Sequence, residues 1–129
     1  MTSELTPKLL VADADAAIDF YTKALGAALT SRVADDQGRV THAELSLGTA
    51  AFALAQSVDE WGWHDPLSMG GSPVLLMIDL PDPAATADRV AQLGGAIVIP
   101  VEDRSYGKRQ GRVKDPFGHL WVLSGDAGS

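Results

Sequence analysis

The stretch DADAAIDFYTKALGA, residues Asp13 to Ala27, reads as one amphipathic helix with both of its ends marked. Ile18, Tyr21 and Leu25 fall at helical spacing, and Asp15, Asp19, Thr22 and Lys23 supply the polar positions around them. Asp13 is placed to cap the first turn, and Gly26 can take the left-handed conformation that closes a helix, which predicts a helix over about Asp15 to Leu25. Upstream, Lys8 to Ala12 is a short apolar run that reads as a strand. Downstream, Ala27 to Ala34 and Arg39 to Leu47 are strands joined by the turn Asp35-Asp36-Gln37-Gly38. Gly48-Thr49 turns the chain again into Ala50 to Ala55. The order is β-α-β-β-β.

The same order then recurs. Pro73 to Leu80 is a strand, Asp82-Pro83 starts a helix with proline in its first turn, and Val90, Leu93 and Gly94-Gly95 end it. Ala96 to Val101, Gly111 to Lys114 and His119 to Leu123 read as the closing strands, the last two joined by Asp115-Pro116-Phe117-Gly118. Placing Leu25-Gly26 on Leu93-Gly94 sets an internal repeat of 68 residues. Between the copies, Ser57 to Ser72 holds three glycines, Pro66 and two tryptophans without periodicity, and reads as a linker or functional loop. We therefore expect one α+β domain, with module one over about 6–56, a linker loop over 57–72 and module two over about 73–125.

Composition narrows the functional classes. With 17 acidic against 10 basic residues and a formal charge of −7, the chain lacks the clustered cations of a nucleic-acid surface. The same balance favours a neutral or cationic small partner, although moderate acidity also serves solubility. The absence of cysteine excludes disulfides, thiolate zinc sites and a cysteine nucleophile. No apolar run approaches the roughly 18 residues of a membrane span, and Met1 to Leu5 carries no signal-like pattern, so a cytoplasmic protein without membrane contact is expected. There is no glycine-rich phosphate loop, G-x-S-x-G elbow or H-E-x-x-H helix.

The helix segment at 13–27 resembles the one that opens proteins of the vicinal oxygen chelate superfamily, the glyoxalase, bleomycin-resistance and dioxygenase group. The segment GRVKDPFGHLWVL at 111–123 resembles their closing hairpin. HAELSLG at 42–48, MGGSPVLLMIDL at 69–80 and YGKRQGRV at 106–113 look like the PhnB-like branch. The resemblance implies two βαβββ modules forming a half-open, eight-stranded barrel around a cavity with helices outside, and a homodimer. It also implies that metal-dependent members carry one histidine or carboxylate on the first and last strand of each module. Here those positions fall at Thr6, at Pro73, among Phe52, Leu54 and Gln56, and among Leu120, Val122 and Ser124. None is a histidine, aspartate or glutamate, so no metal and no cofactor are expected.

Candidate ligand-binding residues follow. His42 and Glu44 share a strand face and form a possible acid-base pair, although two polar residues on a solvated sheet face would read the same. Trp61, Trp63 and His64 lie in the loop, where the tryptophans either stack on a planar or cationic ligand or cap a cavity or dimer seam. Tyr106 and Arg109 lead into the seventh strand, where similar proteins contact ligand, and Phe52, Leu54, Gln56 and Val122 are the expected inward positions. His119 reads as a turn residue and Trp121 as core. The reading that fits best is a metal-independent protein binding an antibiotic or metabolite, with a cationic or aromatic ligand favoured. The alternative is a glyoxalase-like lyase or isomerase, or a dioxygenase, with a non-standard site on His42 and Glu44.

Overall fold

A computed structural model describes residues 2–127. The chain divides into two compact units, one ending at Ser68 and the other beginning at Met69. Each has the β-α-β-β-β order, so the fold is α+β and built of two βαβββ modules.

In the first unit, β1 (Lys8–Val11) leads into α1 (Ala14–Ala24), followed by β2 (Ala28–Ala34), β3 (Val40–Leu47) and β4 (Ala50–Gln56). The strands lie in the order β1-β4-β3-β2, with β1 and β4 parallel and the other pairs antiparallel. Asp13 caps α1 by accepting from the Ala16 amide at 3.1 Å, and Gly26 ends the turn beyond it at φ 74°. One face of the sheet packs on α1: Leu9, Val11, Ala43, Leu45, Phe52 and Leu54 are buried there, and the Phe52 ring meets Tyr21 of α1 edge-on at 5.3 Å. At the far edge, Arg32 of β2 reaches over to Asp15 with two bonds of 3.0 Å, and the guanidinium holds the Asp15 carboxyl below its ordinary value.

The segment after β4 is more ordered than its composition suggests. A single 3-10 turn (Asp59–Trp61) is closed by reciprocal backbone bonds between Val58 and Trp63, and α2 (Pro66–Met69) follows, with the Ser68 amide and hydroxyl bonded to Asp65. Periodicity misses such an element because four residues do not complete two helical turns.

The second unit comprises β5 (Leu75–Asp79), α3 (Pro83–Gln92), β6 (Ala96–Asp103), β7 (Lys108–Lys114) and β8 (Leu120–Asp126), in the order β5-β8-β7-β6 with β5 and β8 parallel. Asp82 caps α3 as Asp13 caps α1, accepting from Ala85 at 3.1 Å. Close approach of backbone to backbone dictates three glycines in this unit, Gly95, Gly111 and Gly125. A Cβ on Gly111 would come within 2.7 Å of the Ile99 carbonyl, and one on Gly95 within 2.7 Å of the Lys114 carbonyl. β7 begins three residues before the expected Gly111. The turn Arg104 to Lys108 closes with the Arg104 amide on the Lys108 carbonyl at 2.7 Å, as Asp35 closes on Arg39 at 2.9 Å in the first unit. The charged run from Glu102 to Gln110 hides this hairpin from hydropathy alone. Among the described residues no helix is long and apolar enough to cross a membrane.

Candidate functional site

The face of the first sheet turned away from α1 carries the histidine-carboxylate pair. His42 Nε2 stands 3.2 Å from Glu44 Oε1, and the two side chains are 37% and 46% exposed. Both alternate with the buried Ala43 and Leu45, so they lie opposite the helix as the sequence pattern requires. A proton can pass between two groups at this distance, and each of them is open to water.

Strand β4 requires a correction. Leu45 is in register with Phe52 and Ala43 with Leu54, and both partners face α1. Phe52 and Leu54 therefore belong to the core, with Gln56 following them by alternation, and not to a ligand-facing wall. The positions on the His42 and Glu44 face are Ala51, Ala53 and Ala55, with Ala53 opposite Glu44. Because every second residue of this strand is alanine, either face could have been inward on hydropathy; the bulk needed beside Tyr21 decides it.

In the loop, Trp61 and Trp63 meet edge-on at 5.1 Å. Each already has a cation from its own chain over its ring, Arg39 at 5.2 Å from Trp61 and Lys8 at 5.0 Å from Trp63. His64 Nδ1 lies 3.2 Å from Asp59 Oδ1, within the same loop. These contacts pin the loop to the strand ends, and one face of each tryptophan is taken.

In the second unit, a cleft of about 290 Å³ lies on the sheet, lined by Ile99, Arg104, Tyr106, Gln110, Arg112, Val122 and the backbone of Gly111. Of the expected residues, Tyr106 and Val122 are here. Arg109 is not: it alternates with Gln110 and faces the side of Gly111 and Gly125, where a Cβ on Gly125 would meet Pro83 of α3. Arg112, directly in register with Val122, takes the place expected of it. Arg104 is held by its own strand ends, donating to the Gln110 carbonyl at 2.8 Å and the Pro100 carbonyl at 2.7 Å. Gln110 in turn donates to Ser124 Oγ at 3.0 Å and accepts from the Tyr106 hydroxyl at 2.7 Å. The Arg112 Nε is buried with no hydrogen-bond partner. Arg104, Gln110 and Arg112 were legible in principle: starting the strand at Lys108 places Gln110 and Arg112 on the Val122 face.

Among the described residues no three histidine, aspartate or glutamate side chains gather into a set that could hold a metal ion.

The sequence model of the Glyoxalase/Bleomycin resistance protein/Dioxygenase superfamily matches residues 5–123. An uncharacterized protein of Mycobacterium tuberculosis, Rv0887c, is 38% identical over 122 residues, which span 92% of this chain and 72% of that one. Among solved structures, a gene product of Arabidopsis thaliana superposes with a TM-score of 0.75 at 25% identity, covering 96% of this chain and 99% of that one. The bleomycin-binding protein complexed with bleomycin superposes at 0.66 with 23% identity, over 97% and 99% of the two chains, and shares the fold.

Proposed function

Because the chain belongs to the Glyoxalase/Bleomycin resistance protein/Dioxygenase superfamily, we propose that it is a metal-independent, cytoplasmic protein that binds a small antibiotic or metabolite, sequestering it without turnover. The observation that carries this reading is the cleft of the second unit, where a tyrosine, two arginines and an amide converge on apolar Ile99 and Val122 with no histidine or carboxylate among the lining residues. Such a lining supplies shape, stacking and hydrogen bonds, which are what a binder needs, and no imidazole or carboxylate to serve as a general base. Bleomycin binding by a protein of the same fold supports a ligand of this general class. Leu75 and Met77 of β5, 45% and 70% exposed, support a homodimer in which a second copy covers apolar surface.

An enzyme built on His42 and Glu44 is the second reading, favoured by their 3.2 Å separation. Replacing His42 by alanine separates the two. The expected result is that a compound found by thermal-shift screening binds the variant within about twofold of the parent, since the pair lies outside the cleft, and that neither protein converts it. A product formed by the parent and lost in the variant establishes the enzyme instead. The same preparation is expected to sediment as a dimer in analytical ultracentrifugation; a monomer at all concentrations removes the homodimer from the proposal.

A further inference from the structure

The cleft carries information about the charge of its occupant. We infer that it receives a single-ring planar carboxylate, with the carboxylate on Arg112 and the ring against Tyr106, Ile99 and Val122. This deepens the small-molecule reading and rests on it.

The charge of the lining points this way. Two of the lining side chains are arginines and none is acidic. Arg104 spends its donors on the Pro100 and Gln110 carbonyls and has Glu102 at 3.7 Å, so it acts as a clamp for the turn below Tyr106. Arg112 is different: among the described residues its side chain forms no ion pair, and its Nε is buried without a partner. A guanidinium remains protonated in a protein, and a buried donor of a charged group left unpaired is costly. A carboxylate supplies two acceptor oxygens in the spacing that the guanidinium fork matches, so it satisfies the orphan Nε and a second N–H together. Arg109 also has a buried, unpartnered Nε, but it faces the α3 side of the sheet and does not line this cleft.

Size and shape limit the rest of the ligand. About 290 Å³ sits at the lower edge of the volumes that hold organic ligands, which suits a single ring. Tyr106 is 65% exposed with its hydroxyl tied to Gln110, so the ring is oriented yet open to a flat partner. The Gln110 amide is already oriented by Ser124 and can select among ring substituents. The formal charge of −7, which favours a cationic or neutral partner, is a property of the whole chain; the nearest charges decide at a cleft of this size.

Three isosteric probes test this: benzoate, benzamide and benzamidine, each titrated into the full chain while the arginine Nε–Hε resonances are followed by NMR. Benzoate is expected to shift the Arg112 signal saturably and to bind at least about tenfold more tightly than the other two. Arg112→Gln is expected to weaken benzoate at least about tenfold, with its melting temperature near that of the parent because the side chain has no partner to lose. Tyr106→Ala, at an exposed turn that cannot unfold the sheet, is expected to weaken it severalfold. Tighter binding of benzamide or benzamidine at the cleft overturns the carboxylate inference and leaves the binding reading standing. No response of Arg112 to any of the three overturns the inference, and the binding reading then stands or falls on the thermal-shift screen alone.

Discussion

Asp115→Ala is expected to lower the stability of the protein by about 3–5 kcal/mol in urea unfolding, far more than a typical surface aspartate. Asp115 is 3% exposed, and its two oxygens serve three donors: Oδ1 accepts the amides of Phe117 and His119 at 2.9 and 3.0 Å, and Oδ2 accepts the Trp121 indole at 2.9 Å. It thereby fixes the turn that sets β8 against β7 and seats Trp121, itself 5% exposed. Alanine strands these donors, of which the His119 amide and the Trp121 indole are buried, and unmade bonds there cost more than made bonds gain. The first unit contains an internal control. Asp35 forms the same turn, accepting the Gln37 and Arg39 amides at 2.9 and 3.0 Å, but it is partly exposed and Asp35→Ala should cost distinctly less. The bond from Arg39 holds the Asp35 carboxyl below its ordinary value, so the contribution of that turn is present at neutral pH and is lost as the pH falls through the lowered value. Equal losses for the two variants, or a loss under about 1 kcal/mol for Asp115→Ala, would contradict the role given to the buried carboxyl.

Phe52→Ala is expected to cost a similar 3–5 kcal/mol while leaving the affinity of any ligand bound in the cleft of the second unit unchanged. The ring is 5% exposed and stands edge-on to Tyr21 at 5.3 Å and 89°, and Tyr21 is itself fully buried against Phe20 at 5.3 Å. Removing it opens a cavity between α1 and the sheet that the surrounding strands cannot collapse into. Were Phe52 on the ligand-facing side of β4, the substitution would do the reverse, weakening a ligand and sparing stability. Urea unfolding and a ligand titration on the one variant separate the two placements.

What the sequence made legible was whatever depends on local chemistry. The caps at Asp13 and Asp82, the left-handed Gly26 and the turn at Gly38 are each dictated by a few neighbouring atoms, and each is found where the residues place it. The face of a strand is not local in that sense. β8 could be read because its large residues alternate unequally, with Trp121 needing the Asp115 acceptor and Val122 left for the cleft. β4 could not, because its alternation sets alanine against Phe52 and Leu54, and only the presence of Tyr21 on the crossing helix says which side needs volume. The site was half legible for a related reason. Tyr106 and Val122 stand out as residue types, whereas Arg112 among Lys108, Arg109 and Lys114 is one cation of four until the register with Val122 singles it out.

The central claim, that this chain binds a small molecule without a metal, is most directly tested on protein purified without a histidine tag: metal content by mass spectrometry, followed by thermal-shift titration with nickel, zinc, manganese and iron(II). That no three histidine, aspartate or glutamate side chains gather among the described residues predicts substoichiometric metal and no shift with any of the four. One tight metal per chain, with a melting temperature that rises on its addition, would contradict that prediction and restore a metal-dependent enzyme.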